Sequence, residues 1–458
     1  MKSPTYRFLQ KSALAAAIAG ISAPASAAFF ALAEQSASGM GTAFAGGAAI
    51  AEDASTVWYN PAGMTRLDRP QLVVAGHYID LNIKTNVISA SSVQGIPIGG
   101  GAGKSPGESA FVPNFYYTHP ITKEFSVGAG VNAPFGLATE YDSTWAGRYH
   151  AIKSEIKAIN YNVSGAYKFN DALSGGVGVD YQHFKAELTQ AVDFTTICNV
   201  LGAAAACGGA APAPGPFNVT TNPNDGNAKV TADSNAWGYN LGLLAQLPND
   251  FRVGVAYRSK MKQSLSGNFD ITTPANVPGG VLAATGLVNS GAKADVTLPA
   301  SISVSAYQQV GPQWAIMADI TRTNWSSIPE LRIKFDSGQQ DSVVTLNLID
   351  SYRYSVGATY KPNDAWILRG GLAYDQSPVT NPQDTSPRLP DGDRTWIAIG
   401  AGLKASPNLN FDFGYAYIHV QGTQVRKTAT GENTFRGNLS VDYTATIQVL
   451  SAQARWTF

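Results

Sequence analysis

Apolar and polar positions alternate with a period of two in many segments of this chain. In segment 251–258, aromatic and β-branched residues alternate with arginine, glycine and alanine, and segments 352–360, 408–417 and 450–458 show the same pattern. Successive side chains of a strand point to opposite faces. Each segment therefore predicts a strand with one apolar face and one small or polar face.

The last predicted strand ends on an aromatic residue of its apolar face, Phe458, which shares that face with Trp456. Other aromatic residues crowd the ends of the predicted strands, as the interfacial girdles of membrane barrels require. A terminal aromatic in this alternation looks like the signal that the outer-membrane assembly machinery recognises. We therefore expect Trp456 and Phe458 to serve as that assembly signal.

Short and long connections alternate between the predicted strands. Short turns are predicted at 120–124, 170–172, 248–250, 311–313, 361–364 and 405–408. Longer links, rich in Gly, Pro and Asn, include 195–228, 271–291, 376–393 and 421–437. Six short turns and seven longer connections imply fourteen strands. An even number of strands with short turns at one end is typical of bacterial outer-membrane barrels.

Composition supports a barrel over a soluble enzyme or a helical membrane protein. The 458 residues include 46 Gly, 20 Tyr and 19 Phe, and only 14% are charged. Beyond residue 27 no stretch of 18 apolar residues occurs, which excludes helical spans. A membrane protein without such helices must pair its backbone groups between strands. We predict an all-β fold, a transmembrane antiparallel barrel of about fourteen strands over residues 71–458.

The N-terminus has the pattern of a cleavable signal peptide, residues 1–27. Three basic residues precede the apolar run 13–21, and the small residues of 25–27 follow. We expect cleavage before Ala28. Removing this segment leaves 29 of the 32 basic side chains against 32 acidic ones. That balance argues against nucleic acid as a partner, because no basic excess is available for phosphates.

Residues 28–70 precede the first predicted strand and lack period-two order. They are rich in Ala, Gly and Ser, with aromatic residues such as Phe29, Phe44 and Trp58 among them. A fourteen-stranded barrel encloses more space than its own side chains fill. We interpret this segment as a plug, or hatch, inside the lumen, and the alternative is a loose periplasmic tail.

The same segment carries a family resemblance. Its sequence AFFALAEQSASGMGTAFAGGAAIAEDASTVWYNPAGMTRL resembles the start of mature FadL-type proteins, the outer-membrane channels for long-chain fatty acids and hydrocarbons. The similarity continues through 134–141, 298–300, 312–315 and 390–396 to Phe458, and so covers essentially the whole mature chain. It implies a fourteen-stranded barrel with an N-terminal hatch, and passive uptake of hydrophobic compounds.

The resemblance also implies residue roles. Asn60, Pro61 and Ala62 match the family's hatch motif, although Asn-Pro is also a common turn. Residues near the mature N-terminus would line the apolar ligand tunnel, and these are Phe29, Phe30 and Leu32. An alkyl chain gains about 0.8 kcal/mol per buried CH₂, so a tunnel of this kind binds it without chemistry.

A weak point is predicted in the barrel wall at Pro134, Phe135 and Gly136. Proline cannot donate to a strand ladder, and glycine weakens it further. In the family, a kinked strand in this region provides a lateral exit into the membrane. The alternative is that Pro134 merely ends the strand.

Cys198 and Cys207 lie close together in an outer loop and are the only cysteines of the chain. In an oxidising compartment we expect either a disulfide or two free thiols. Metal binding is not expected there, and no cofactor is predicted.

Cationic side chains are needed if the ligand is a carboxylate. Lys185, Arg332 and Lys334 lie on suitable strands, and we select Lys185 as the candidate for substrate binding. Fatty acid and neutral hydrocarbon both remain open as ligands.

Motifs of enzymes fit poorly. Residues 103–107 match G-x-S-x-G, but they lie in a Gly-rich loop without the strand and helix that this motif needs. We therefore predict no enzymatic activity. A barrel phospholipase and a general porin or adhesin are the alternative functions. Expected partners are a hydrophobic ligand, outer-membrane lipid and lipopolysaccharide, and the assembly machinery, with the protein as a monomer.

Overall fold

The computed structural model describes residues 29–202, 225–275 and 277–458. The predicted signal peptide and Cys207 lie outside these residues. Within the described part of the chain, no helix is long and apolar enough to cross a membrane.

Nineteen strand segments occur among the described residues. They are β1 (Gln71–Ser91), β2 (Ala110–Pro120), β3 (Phe125–Asn132), β4 (Gly136–Glu140), β5 (Lys153–Lys168), β6 (Leu173–Asp193), β7 (Asp225–Gln246), β8 (Phe251–Arg258), β9 (Met261–Thr272), β10 (Ser290–Leu298), β11 (Ser301–Val310), β12 (Trp314–Thr323), β13 (Glu330–Phe335), β14 (Ser342–Thr345), β15 (Ser351–Tyr360), β16 (Trp366–Asp375), β17 (Arg394–Ser406), β18 (Leu409–Lys427) and β19 (Asn438–Thr457). Five barrel strands are each interrupted once, giving the pairs β3/β4, β8/β9, β10/β11, β12/β13 and β14/β15. The nineteen segments therefore make fourteen barrel strands, which confirms the predicted number.

The sheet closes on itself. Each strand pairs antiparallel with its neighbours in sequence, and β1 pairs with both β2 and β19. The closing register sets Gln71 opposite Thr457 and Leu72 opposite Trp456. Closure removes the free edges that a flat sheet would expose in a bilayer, where no water is available to satisfy them.

The predicted faces of the strands are confirmed. On β18, Phe413 is 52% exposed and Tyr417 is also exposed, whereas Asp412 and Ala416, which precede them, are buried. The apolar side chains therefore cover the outer surface of the barrel. The small and polar side chains face the lumen, as lipid outside and a polar interior require.

The two ends of the barrel differ as expected. All six short turns lie where they were predicted, each between two strands at the end that holds the chain terminus. The opposite end carries the long loops, which include the helices Phe194–Val200 and Gly279–Thr285. Two strands extend further than predicted, since β7 begins at Asp225 and β18 ends at Lys427. Antiparallel pairing with the neighbouring strand continues there. The ends of these strands are therefore set by backbone pairing and not by the Gly-, Pro- and Asn-rich composition of the segments.

Residues 29–70, which we call the hatch, lie inside the barrel. They form three short helices, α1 (Ala37–Met40), α2 (Gly47–Ile50) and α3 (Thr56–Tyr59), followed by a 3₁₀ turn at Pro61–Arg66. Helix α1 contacts β17, β18 and β19, whereas α2 contacts β8 and β11 and the 3₁₀ turn contacts β5, β6 and β7. The hatch thus touches opposite walls of the lumen, which confirms the predicted plug and excludes a loose tail.

Glycines of the barrel wall make this fit possible. A Cβ added at Gly400 would lie 2.7 Å from the Cα of Gly41, and one added at Gly414 would lie 2.8 Å from the Cβ of Met40. Ordinary contacts of a Cβ are 3.4–4 Å. The same crowding against the hatch occurs on other strands, at Gly128, Gly176, Gly242, Gly254, Gly357 and Gly371. We call these eight residues the glycine seat, because they let the hatch backbone approach the wall directly.

Candidate functional site

An apolar cavity lies between the start of the hatch and the outer halves of the barrel strands. Its protein-free space is about 950 Å³, counting the open mouth. Phe29 and Phe30 of the hatch form one side. Aliphatic side chains from many strands form the rest, among them Leu137, Ile156, Leu188, Val230, Leu265, Val296, Ile333 and Leu346. The lining can hold an alkyl chain by desolvation alone.

Four aromatic rings pack together beside this apolar cavity, and two of them, Phe29 and Phe30, line it. Trp325 lies 5.3 Å from Phe29 and 5.0 Å from Phe30, between ring centroids, and Phe135 lies 5.6 Å from Phe30. Such distances and tilted ring planes are those of favourable aromatic pairs. Phe29 has a φ of 58°, which is uncommon for a residue with a side chain. Its backbone N–H donates to Asp391 at 3.3 Å, which holds this conformation.

A second cavity lies on the other side of these rings. Its protein-free space is about 1170 Å³, again counting the part that is open to solvent. Leu32, Trp58 and Pro134 contribute apolar walls, whereas Arg258 and Asp319 are polar groups of the lining. The structure thus places the three predicted ligand residues unequally, with Phe29 and Phe30 at the apolar cavity and Leu32 at the second cavity.

The barrel wall is interrupted beside the second cavity. Strand β3 ends at Asn132 and β4 begins at Gly136, and pairing between β2 and β3 stops at Phe115 opposite Val131. The hatch backbone bonds to this interruption instead. Leu32 donates its N–H to the carbonyl of Pro134 at 2.9 Å, and Gly136 donates to the carbonyl of Phe30 at 2.9 Å. The strand ladder therefore breaks where Pro134 and Gly136 predicted a weak point.

The Asn60-Pro61-Ala62 motif ties the hatch together and to the wall. The side-chain amide of Asn60 donates to the carbonyls of Ala48 at 2.7 Å and Leu243 at 2.9 Å. Its carbonyl oxygen accepts the N–H of Ala62 at 3.1 Å. Asn60 is fully buried. The motif is thus more than a turn, since it links two parts of the hatch to strand β7.

Lys185 does not belong to the apolar cavity. It follows Phe184, which is buried and lines the cavity, so Lys185 points to the opposite face of β6 and is exposed. Arg332 and Lys334 likewise flank the lining residue Ile333. The expectation for Lys185 was wrong, because its position relative to Phe184 puts it on the outer face.

The sequence did not point to Trp325 or Arg388, although both lie at the cavities. Trp325 begins the short 3₁₀ turn Trp325–Ser327 between β12 and β13, and Arg388 lies in the loop between β16 and β17. Neither position belongs to a period-two segment, so no local pattern marked its direction. Only the closure of the barrel brings them together with residues 29 and 30.

Cys198 is disulfide-bonded. It is buried in the helix Phe194–Val200 of an outer loop, packed against Val277 and Val281. Its predicted partner, Cys207, lies outside the described residues.

A serine–histidine pair is present, but it faces inward. His77 Nδ1 and Ser451 Oγ are 2.7 Å apart, and both side chains are buried. They lie opposite each other on β1 and β19. A phospholipase would need such a pair on the outer face, so this pair gives no support to that alternative.

The fold and its cavities define a class of protein: an outer-membrane β-barrel, plugged by its own N-terminal segment, with an apolar chamber above the plug. Residues 18–458 match the family described as outer membrane protein transport protein (OMPP1/FadL/TodX). The chain belongs to this family.

Named relatives cover almost the whole chain. The long-chain fatty acid transport protein of Escherichia coli K12 is 34% identical over 430 residues, which are 91% of this chain and 93% of the relative. Outer membrane protein P1 of Haemophilus influenzae Rd is 32% identical over 451 residues, 95% of this chain and 96% of the relative. These relatives are transport or outer-membrane proteins and not enzymes.

Solved structures show the same fold. A Pseudomonas aeruginosa FadL homologue superposes with a TM-score of 0.84 at 27% identity, covering 94% of this chain and 100% of that one. The Pseudomonas putida toluene transporter TodX superposes with a TM-score of 0.66 at 17% identity, covering 93% and 99%. At that identity the second likeness concerns the fold alone.

Proposed function

We propose that this protein is a channel for the passive uptake of long-chain fatty acids or other hydrophobic compounds across the outer membrane. The observation that carries the proposal is the apolar cavity on the outer side of the hatch. Each CH₂ buried there contributes about 0.8 kcal/mol, so a long alkyl chain is bound without any reaction. Relatives named as a fatty acid transport protein support this class of ligand.

We propose a route that leads sideways. A ligand in the apolar cavity is separated from the second cavity by Phe29 and Phe30, so these two side chains must move for it to pass. The second cavity reaches Pro134 and Phe135, where the wall is interrupted. Exit into the bilayer suits an apolar ligand, because release into water would cost about 0.8 kcal/mol for each CH₂. Pro134, Phe135 and Gly136 would then form a lateral gate.

We also propose how the protein lies in the membrane. The apolar outer face would contact membrane lipid, with lipopolysaccharide around the loops, and the protein would act as a monomer. A general porin is disfavoured because the hatch lies in the lumen and contacts opposite walls of the barrel.

The apolar cavity can be tested by one substitution on each face of β9. Leu265 is buried and lines the cavity, whereas Ser266 is exposed on the other face. Leu265→Asp would place a carboxyl group in the chamber and should strongly reduce uptake of radiolabelled fatty acid by cells that depend on this protein. Ser266→Asp should leave uptake unchanged. Equal uptake by both variants, at equal surface abundance, would show that ligands do not pass through this cavity.

The lateral gate is tested by restoring strand formers at the interruption. Pro134→Val with Gly136→Thr supplies the N–H that proline lacks and favours continued pairing. Uptake should fall sharply, while ligand affinity in detergent stays near that of the unmodified protein, because the apolar cavity is intact. If a correctly assembled double variant transports normally, the ligand leaves past the hatch into the periplasm.

A further inference from the structure

A row of charged residues crosses the outer face of the barrel near the long loops. Pairing between neighbouring strands places one outward-facing residue from each of β5, β6, β7, β9, β10 and β13 side by side, and these are Lys157, Lys185, Asp233, Ser266, Lys293 and Lys334. Their neighbours in the chain, such as Phe184 and Ile333, line the apolar cavity, so the row points away from the lumen. We call these six residues the cationic row, because four are lysines and one is an aspartate.

The cationic row contains two pairs of like charges. Lys157 on β5 is directly opposite Lys185 on β6, and Lys293 on β10 is directly opposite Lys334 on β13. The Cβ atoms of directly opposite residues are about 4.5–5.5 Å apart, and like charges in such positions are destabilising. An anion bound between the two lysines of a pair would remove this repulsion.

Aromatic residues show the depth of the row in the membrane. Tyr161, Tyr181 and Trp237 lie side by side on β5, β6 and β7, each four residues from a member of the row along its strand. Trp237 is 71% exposed, as the aromatic girdle at a membrane boundary requires. On the far side of this girdle the outward residues are apolar, among them Val163 and Val179, which are both exposed.

The distance to the girdle places the row outside the hydrocarbon. Four residues of a strand span about 13 Å, and the tilt of barrel strands reduces this to a depth of roughly 10 Å. The head-group region of a bilayer adds about 5–8 Å on each side of the hydrocarbon. The row therefore lies at the outer limit of a phospholipid head group, on the side of the barrel that carries the long loops. A lipid with a larger, phosphorylated head group reaches this depth.

Most carboxylates beside the row lie one step further from the membrane and are already paired. Glu155 and Glu187 are directly opposite each other on β5 and β6, each two residues beyond the row. Lys153 lies 3.0 Å from Glu155 and 3.1 Å from Glu187, and Lys229 lies 3.3 Å from Glu187. Lys157 of the row also pairs with Glu155. These acids are thus neutralised, and the lysines of the row lie between them and the membrane.

Each like-charged pair of the row has one lysine without an acidic partner. Lys293 pairs with Asp336 at 2.8 Å, as Lys157 does with Glu155. Lys185 and Lys334 are exposed, and no carboxylate in the described part of the chain lies within ion-pair distance of either ammonium group. Asp233, the one carboxylate of the row, is directly opposite Lys185 without pairing with it.

We propose that the cationic row binds phosphate groups of lipopolysaccharide in the outer leaflet of the membrane. An ammonium group binds phosphate as a point charge, and basic residues just outside the hydrocarbon attract anionic lipid head groups. Five strand spacings of about 4.8 Å make the row roughly 24 Å long, so one glycolipid with several phosphates can contact both lysine pairs. Its acyl chains would lie on the apolar strand faces below the girdle. This inference does not depend on which molecule passes through the lumen.

The test measures binding of bisphosphorylated lipid A to the purified full-length protein in a non-ionic detergent at low ionic strength. A basic residue near a membrane surface contributes about fivefold to the affinity for an anionic lipid. Lys185→Gln should therefore weaken binding about fivefold, and Lys185→Gln with Lys334→Gln roughly 25-fold. Lipid A from which both phosphates have been removed should bind the unmodified protein at least as weakly as bisphosphorylated lipid A binds the double variant.

Lys84→Gln is the matched control. Lys84 is exposed on β1 at the same end of the barrel, but it is directly opposite the uncharged Thr444. This variant should bind lipid A like the unmodified protein. Asp233→Asn removes the carboxylate of the row and should strengthen binding by up to about fivefold, a gain that a purely structural role would not produce.

Three results would overturn the inference. If the double lysine variant binds lipid A as well as Lys84→Gln does, the row does not bind the phosphates. If dephosphorylated lipid A binds the unmodified protein as tightly as the bisphosphorylated form, the apolar face alone holds the lipid. If phosphatidylglycerol displaces lipid A at equal concentration, the row binds any anionic lipid and the assignment to lipopolysaccharide is wrong.

Discussion

The glycine seat makes a sharp prediction, because two adjacent glycines of β16 face opposite sides of the barrel wall. A Cβ added at Gly371 would overlap the carbonyl group of Thr42 and lie 2.7 Å from the backbone nitrogen of Ala43. A Cβ added at Gly370 would have no atom within 4 Å. Gly371→Ala and Gly370→Ala are thus the same change, in the same strand, with and without a clash against the hatch.

The size of the effect follows from this geometry. To restore an ordinary contact of 3.4 Å to Ala43, the hatch or the strand must move by at least about 0.7 Å. Both partners are backbone, so no side chain can rotate away. Overpacking of this kind costs about 1–3 kcal/mol. Applied to the seated hatch, that cost should raise the population of a displaced hatch about 5- to 150-fold.

The assay is ion conductance in planar bilayers together with hydrogen exchange of the hatch amides. The N–H of Phe44, bonded to the carbonyl of Gly39 at 2.8 Å, is a suitable reporter. The Gly371→Ala variant should conduct ions more often, and its hatch amides should exchange faster. The Gly370→Ala variant should match the unmodified protein in both measurements. If both variants behave alike, the glycine does not seat the hatch and the steric argument is refuted.

Three further predictions concern other parts of the molecule. Deletion of residues 28–65 should leave a barrel that assembles but conducts ions, and unchanged low conductance would contradict the plug. Phe458→Ala should lower the yield of protein in the outer membrane, measured by surface labelling, without altering the assembled molecule; a normal yield would argue against the assembly signal. His150 is buried in an outer loop against Arg436, Lys427 and Arg388, and burial first, then these cations, lower its pKa to about 3. Neutral His150 is therefore accommodated by the folded loop above pH 6.5. Below that pH the unfolded state binds a proton that the folded state does not, so the folded loop loses about 2 kcal/mol of stability by pH 5. Proteolysis of the loops should rise at pH 5, and His150→Asn should abolish this rise.

The strand pattern allowed the barrel to be predicted in some detail. Alternation along 251–258 and 408–417 identified the outward-facing side chains correctly, because a strand in a barrel wall has only two environments. The number of strands was predicted by counting the short turns and the longer links between them, and these too are recognised from neighbouring residues. The prediction that Lys185 binds the ligand was wrong, because Lys185 is adjacent to a lumen-facing residue and therefore lies on the outer face of the barrel.

The hatch motif shows how far a local signal extends. Asn60 was recognised from its neighbours in the chain, but its bond to the carbonyl of Leu243 joins residues far apart in sequence. The glycine seat could not be predicted from the sequence either, because Gly254 and Gly371 do not differ there from other small residues on inward faces. Their importance depends on the hatch backbone that lies opposite.

Local order along the chain thus specified the strands, their faces, their number and the presence of an unstranded N-terminal segment. These features depend on the two-residue period of the strand, which neighbouring residues carry by themselves. Ring closure decided the rest: it placed Trp325 from one strand connection and Arg388 from another around Phe29 and Phe30. Such a site depends on distances across the lumen, and those are set by closing the sheet around the hatch and not by any stretch of sequence.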